Sequence, residues 1–182
     1  ARTVIDNTVK DCRVRLVMPS FAGRDYFASQ SYAFLTRPVG RRTGTDSGNW
    51  PEAEPLEKNF SGIAGKRDER GGIALLSRYG LHEVAAMDTA GGEFYFTLYR
   101  AFGRTVRDAG GVDGQLQKTL TMEYGYCFFA PDCEEHELFN RMQTMRNRPV
   151  FHTVAADKCG IPESKSQVVL SGEVGYSSMS PA

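Results

Sequence analysis

The fold of this chain is decided largely by one stretch, residues 71–103, which reads GGIALLSRYGLHEVAAMDTAGGEFYFTLYRAFG. Short apolar runs separated by glycine and polar residues are typical of strands joined by turns. The pattern predicts two strands with a turn between them over residues 71–84, as in a hairpin, and a third strand that begins at Phe94. Both alternating faces of that third strand are apolar or aromatic, which predicts a strand covered on both sides, as in stacked sheets.

Alternation of apolar and polar side chains continues on both sides of this stretch. It covers residues 12–18 and residues 119–128, and each segment is therefore predicted as a strand with one buried face. The shorter candidate strands are residues 32–35, closed by Pro38, and residues 73–76 and 167–170.

Polar segments separate these candidate strands. Residues 37–55 are rich in glycine, proline and charge, residues 64–72 contain five charged side chains, and residues 109–114 are rich in glycine. We expect all three to be loops, and many short strands joined by such loops are typical of a β-sandwich. The predicted fold class is all-β, with residues 1–182 in a single domain.

One segment departs from this pattern. After Pro131, Asp132 is placed to cap a helix and Glu135 to complete a capping box. Apolar side chains then recur at helical spacing, at Leu138, Phe139, Met142 and Met145. We expect one short helix, which ends before Pro149.

Composition argues against several classes of partner. The 22 basic and 22 acidic residues balance, so the chain has no electrostatic footprint for nucleic acid. No apolar run approaches the roughly 18 residues of a membrane-spanning helix, and residues 1–10 lack the apolar core of a signal peptide. We therefore expect neither a nucleic-acid nor a membrane partner.

The four cysteines, at positions 12, 127, 133 and 159, lack the spacing of a metal site. Cys127 and Cys133 lie further apart than the about two to four positions of a zinc knuckle. The pattern permits disulfides without requiring them. Because a chain of this length can form a core without such bonds, we expect free thiols.

Candidate carbohydrate-binding residues lie in the polar segment 37–55. Asp46 near Trp50 is the most suggestive pair, because an aromatic ring stacks on the CH face of a sugar while a carboxylate binds its hydroxyl groups. The alternative is that Trp50 packs the long loop onto the sandwich. Among 22 acidic residues, pairs of carboxylates are inevitable, so the sequence assigns no catalytic pair.

A third candidate, Arg37, comes at the end of a predicted strand. The strand would hold its guanidinium in place to bind a carboxylate, either of a sugar acid or of a neighbouring domain. The alternative is a solvated loop residue. His82 and Glu83 look like a catalytic pair in isolation, but their position between two predicted strands indicates turn residues.

The order of motifs along most of the chain resembles one known family. The motifs are DCRVRLVMPS at 11–20, YAFLTRP at 32–38, Asn49-Trp50 followed by Pro55, GIALL through GLHEV at 72–84, FTLYRAFG at 96–103, and Phe139-Asn140 with Pro149. In this order they are similar to the C-terminal β-domain of bacterial family 38 glycoside hydrolases, the α-mannosidases.

This resemblance implies a large β-sandwich of the galactose-mutarotase-like type, a supersandwich. It also implies an N-terminal α/β barrel in the whole enzyme, which holds zinc or another divalent metal and the catalytic carboxylates. No motif of that barrel occurs in this sequence, so the resemblance implies no cofactor and no catalytic residue in this segment. Arg37 matches the family's strand-ending Arg, which lends a side chain to the sugar pocket.

The leading hypothesis is therefore a non-catalytic β-domain of an α-mannosidase-type enzyme, excised from a larger chain and truncated at its C-terminal end. Its partners would be the N-terminal catalytic domain of the same polypeptide and a mannose-containing oligosaccharide, in the bacterial cytoplasm or periplasm. The alternatives are a stand-alone carbohydrate-binding module and a structural domain without sugar affinity that forms a homo-oligomer.

Overall fold

The structure is a computed structural model. It describes residues 1–21, 23–40, 55–104, 113–147, 149–151, 153, 169, 171 and 172. The chain divides into two compact units, Ala1–Cys133 and Glu134–Ala182. The described residues of the first unit form β1 (Arg2–Asp6), β2 (Arg13–Met18), β3 (Asp25–Ser29), β4 (Phe34–Pro38), β5 (Lys58–Asn59), β6 (Ile63–Asp68), β7 (Gly71–Tyr79), β8 (Glu83–Ala86), β9 (Phe94–Arg100) and β10 (Thr119–Phe129).

These strands form two antiparallel sheets. The larger sheet has the order β1-β10-β7-β6-β3-β4, and the smaller sheet has the order β2-β9-β8-β5. One hydrophobic core contains side chains of both sheets, among them Leu75 and Met122 from the larger and Phe94 and Phe96 from the smaller. The sheets therefore pack face to face, which confirms the predicted all-β class.

The third strand of the stretch 71–103 is covered on both faces, as predicted. In β9, Phe94 and Phe96 are fully buried in the core, and Thr97 on the opposite face is also buried. The rings of Phe94 and Phe96 meet Tyr26 and Phe60 edge to face, at centroid distances of 5.7 and 5.6 Å. Such aromatic pairs favour this geometry because the ring edge and the ring face carry opposite partial charges.

The first two strands of that stretch do not form a hairpin, so this prediction was wrong. β7 pairs with β6 and β10, whereas β8 pairs with β9 and β5. The turn between them, which includes Gly80 at a φ of 93°, carries the chain from one sheet to the other. Alternation predicts a strand, but its neighbours are chosen by packing between distant segments.

The prediction of a loop over residues 64–72 was also wrong. Most of this segment is β6 and the start of β7, and β6 lies inside the larger sheet between β3 and β7. The five charged side chains suggested exposure to solvent, but Lys66 is only 1% exposed. β1, β3 and β5 also lie outside the segments predicted as strands.

The remaining predicted strands are confirmed with small changes of boundary. β2 and β10 occupy the alternating segments, β4 begins at Phe34 rather than Tyr32, and residues 73–76 belong to the longer β7. Pro38 ends β4, an edge strand, where a missing N–H removes no ladder bond. Cys12 is a free thiol, as expected. Residues 167, 168 and 170 of the last predicted strand lie outside the described residues.

The second unit contains α1 (Glu135–Arg146), which confirms the predicted helix. Its N-cap is Glu134 rather than Asp132, because a turn still runs through Asp132. Glu137 completes a capping box, and its carboxylate accepts the backbone N–H of Glu134 at 3.1 Å. Within the part of the chain that the structure describes, no helix is long and apolar enough to cross a membrane.

Candidate functional site

The sandwich has an open corner that forms a groove of about 690 Å³. One wall is made by residues 18–21, at the end of β2. The larger sheet supplies the floor and one end of the groove, with Asp68, Arg70, Ile73, Tyr126 and Phe128. These residues together are called the corner groove.

Two aromatic side chains lie uncovered on the floor of the corner groove. Tyr126 and Phe128 follow Tyr124, a core residue, at every second position of β10, so they share its core-facing side. β2 is the edge of the smaller sheet, and no described strand continues that sheet beyond it. Tyr126 is consequently 46% exposed and Phe128 is 76% exposed.

An ion pair stands at one end of the corner groove. Arg70 Nη2 donates to Asp68 Oδ2 at 2.9 Å, and the Arg70 backbone N–H donates to Asp68 Oδ1 at 2.8 Å. The hydrogen bonds from Arg70 hold the pKa of the Asp68 carboxyl below its usual value, so this group is ionised at neutral pH. The pair therefore offers a ligand both hydrogen-bond acceptors and hydrogen-bond donors, while the pair itself carries no net charge.

A buried lysine holds the wall of the groove. Lys66 Nζ donates to the carbonyl oxygen of Phe21 at 3.0 Å and to that of Gly92 at 3.1 Å. Burial lowers the pKa of Lys66, and the carboxylates of Asp88 and Glu93 oppose this effect. Lys66 thus ties β6 to the last residue of the wall and to the loop between β8 and β9.

The wall also contains a hydroxyl group with unsatisfied hydrogen-bonding capacity. Ser20 lines the groove, and its buried Oγ has no hydrogen-bond partner among the described residues. A buried polar atom without a partner costs about 1–3 kcal/mol.

Arg37 lies on β4, and the structure places it at the opposite side of the core. Its Nη1 donates to the carbonyl oxygen of Asn59 in β5 at 2.6 Å, and Gln30 Nε2 donates to the same oxygen at 2.9 Å. Burial raises the pKa of Tyr26, and a hydrogen bond with Arg37 offsets part of that rise. We call Tyr26, Gln30, Arg37 and Asn59 the closed edge, because they join the outer strands of the two sheets.

The sequence-predicted sugar-binding residues are thus not brought together by the described structure. The guanidinium of Arg37 is held in place, as predicted, but its role toward a sugar stays a prediction. Asp46 and Trp50 lie outside the described residues. His82 lies in the turn before β8 and Glu83 begins that strand, and both line a second cavity of about 430 Å³.

The described residues do not fit a metal site. Among them, no group of three or more His, Cys, Asp or Glu side chains is placed to hold a metal ion. The resemblance assigns the zinc or other divalent metal to the barrel of the whole enzyme, and this stays a prediction.

Sequence reasoning did not identify the corner groove. The alternation that includes Tyr126 and Phe128 predicted one buried face, but only its first part is covered, with Leu120 half-buried and Met122 and Tyr124 buried. Their exposure depends on where β2 ends above them, which is a relation between two sheets. The only local signal was the excess of aromatic residues near the end of a predicted strand.

Solved structures share this fold. An α-mannosidase from Enterococcus faecalis V583 aligns with a TM-score of 0.65 and 22% identity, over 80% of this chain and 16% of that chain. A glycosyl hydrolase family 38 protein from Enterococcus faecalis aligns with a TM-score of 0.63 and 21% identity, again over 80% of this chain and 16% of that chain. No protein-family profile and no curated protein sequence matches the chain.

These alignments define the class of fold. The chain has the all-β fold of a segment of family 38 α-mannosidases, as the order of its motifs predicted. It spans about one sixth of the length of the proteins that it matches.

Proposed function

We propose that this chain is the C-terminal β-domain of an α-mannosidase-type glycoside hydrolase. In that enzyme it supports the catalytic barrel and helps to shape the carbohydrate site. The observation that carries the proposal is the structural match, which takes in most of this chain but only a small part of a family 38 enzyme. The order of motifs along the sequence points to the same family independently of the coordinates.

The internal contacts of the described residues support a scaffolding role. Charged side chains that face the core are used to tie strands together, as Lys66 and Arg37 do through backbone carbonyl groups. A sandwich held in this way positions neighbouring segments precisely enough to support an active site. The metal and the catalytic carboxylates belong to the barrel in this proposal.

Hydrolysis of an aryl α-mannoside tests whether catalysis requires the barrel and is absent from this chain alone. The isolated chain is expected to release no aryl alcohol above the buffer rate, with or without added Zn²⁺, while an intact family 38 α-mannosidase serves as the positive control. Metal-dependent turnover by the isolated chain would contradict the proposal.

The coding sequence upstream of Ala1 provides a second test. We expect it to encode a barrel domain with a cluster of Asp and His residues suited to a divalent metal. An unrelated upstream sequence would contradict the proposal that this chain belongs to an α-mannosidase-type enzyme.

A stand-alone carbohydrate-binding module is the second candidate. The corner groove favours it, because Tyr126 and Phe128 present exposed aromatic surface beside hydrogen-bonding groups. Sugar binding by the isolated chain, together with an upstream sequence that encodes no catalytic barrel, would favour the module over the enzyme domain.

A further inference from the structure

We propose that the corner groove is a carbohydrate-binding site, in which an uncharged pyranoside stacks on Tyr126 and Phe128 and forms hydrogen bonds with Asp68 and Arg70. The choice of a mannoside as the ligand rests on the proposed function. The position of the site rests only on the geometry of the described residues.

The floor of the corner groove carries exposed apolar surface. Other aromatic residues of this core, such as Phe94 and Phe96, are fully buried, whereas Phe128 is 76% exposed. Uncovered apolar surface of this kind marks binding sites on soluble proteins. A pyranose ring has an apolar CH face that matches a flat aromatic ring, and its hydroxyl groups point outward from the edge.

One end of the corner groove is polar. The carboxylate of Asp68 accepts hydrogen bonds and the guanidinium of Arg70 donates them, and their charges cancel at a separation of 2.9 Å. A neutral pair with both capacities suits adjacent hydroxyl groups better than a phosphate or an acidic peptide, because Asp68 already neutralises the charge of Arg70 that such an anion would need.

The corner groove has the size of a small-ligand site, and its wall is held in place. A volume of about 690 Å³ falls within the range of about 300–1,000 Å³ that small-ligand sites occupy. The wall is held in advance, because Lys66 binds the carbonyl oxygen of Phe21 from behind. A site that is formed before the ligand arrives loses less conformational entropy on binding.

Titration of the 182-residue chain followed by amide NMR tests the site. With methyl α-D-mannopyranoside and an α-linked mannobiose, we expect saturable shifts confined to the amides of Met18, Ser20, Phe21, residues 68–73 and residues 126–129. Tyr126→Ala and Phe128→Ala should each weaken binding by about three- to tenfold, because each removes one stacking surface. Tyr32→Ala is the matched control, since this tyrosine is fully exposed and lies outside the groove.

Cyclohexanol serves as an apolar ring that lacks adjacent hydroxyl groups. Asp68→Asn should weaken the mannoside by about threefold or more and leave the weaker cyclohexanol binding unchanged. If cyclohexanol binds as well as the mannoside, or if Asp68→Asn affects neither, the groove is a general apolar surface and the proposal is overturned. The amide spectrum of each variant shows whether its fold is retained.

Two further outcomes would also overturn the site. The first is the absence of saturable shifts with either sugar, and the second is a concentration-dependent dimer that covers Tyr126 and Phe128 without sugar. Neither outcome contradicts the role in an α-mannosidase-type enzyme, which is tested separately by the hydrolysis assay and by the upstream coding sequence.

Discussion

The closed edge and the corner groove are two sides of the same space between the sheets. At the closed edge, Arg37 and Gln30 both donate to the Asn59 carbonyl oxygen, so the outer strands β4 and β5 are joined. At the corner groove, the smaller sheet stops at β2, and the aromatic floor of the larger sheet extends beyond it. Contacts between the sheets therefore stabilise the closed edge, whereas the lack of such contacts at the corner groove leaves aromatic surface exposed.

The two regions differ in what their side chains can contribute to the free energy of unfolding. Removing a side chain at the closed edge removes a hydrogen bond to the Asn59 carbonyl oxygen, whereas the floor of the groove loses few contacts because solvent already reaches it. Substitutions in the two regions should therefore separate stability from ligand affinity.

The largest expected effect contrasts a covered aromatic ring with an uncovered one. Phe96→Ala should lower the free energy of unfolding by about 3–5 kcal/mol, because it leaves a cavity in the core where this ring is 0% exposed. Phe128→Ala, its matched control on the groove floor, should change that free energy by about 0.5 kcal/mol or less. Urea unfolding followed by circular dichroism measures both, and equal losses would contradict the contrast between the two regions.

The next effect concerns the lysine that holds the groove wall. Lys66→Met keeps the apolar stem but removes the donor for the carbonyl groups of Phe21 and Gly92, so we expect a loss of about 1–3 kcal/mol at neutral pH. Amide exchange of Met18, Ser20 and Phe21 should become faster in this variant. Unchanged exchange there would show that Lys66 does not hold the wall.

The contribution of Lys66 to the free energy of unfolding depends on pH in a defined direction. The pKa of Lys66 in the folded chain lies below its ordinary value of 10.5, so between these two values the unfolded chain binds more protons. The wild-type free energy of unfolding should therefore rise with pH across that interval relative to Lys66→Met. Urea midpoints of both proteins at alkaline pH measure this difference in stability. A wild-type stability that falls with pH relative to Lys66→Met would contradict the prediction.

A smaller effect is expected at Glu57, which joins the segment before β5 to β2. This residue precedes β5, and its carboxylate accepts hydrogen bonds from Arg13 and Arg15 of β2. Burial alone would raise the pKa of Glu57, but a backbone hydrogen bond and the two arginines outweigh it and lower the pKa below 4.5. Glu57→Gln should cost about 1–2 kcal/mol at neutral pH.

Acid titration checks the origin of that cost. Since the folded pKa is depressed, the contribution of Glu57 is present above pH 4.5 and is lost as the pH falls through the folded value. The difference in unfolding free energy between wild type and Glu57→Gln should shrink over that interval. A difference that stays constant would show that the ion pairs do not account for it.

The smallest effect is expected at the closed edge itself. Arg37→Ala should lower the free energy of unfolding by about 1 kcal/mol or less, because an exposed charged hydrogen bond is lost, and it should leave mannoside affinity in the corner groove unchanged. Arg37→Lys, which keeps a donor, should recover part of the loss. A large fall in sugar affinity without a change in stability would instead favour the predicted role of Arg37 in a sugar pocket.

Local patterns in the sequence predicted the elements whose formation depends least on distant parts of the chain. The alternation in β10, the two apolar faces of β9 and the helical spacing of α1 each follow from side chains a few positions apart. β6 was missed because its charge suggested solvent, while Lys66 is satisfied by carbonyl groups from distant segments. The corner groove was missed for the same reason. Both the hydrogen bonds of Lys66 and the groove join residues that are far apart in the sequence.

The sequence by itself determined the all-β class, most strand positions, the helix and the resemblance to family 38 enzymes, because period-two alternation and motif order are written along the chain. The tertiary structure alone decided that residues 71–84 run from one sheet to the other, that Lys66 is buried, and that Tyr126 and Phe128 stay uncovered. Alternation specifies which side of a strand is apolar, but the second sheet determines how much of that side is covered.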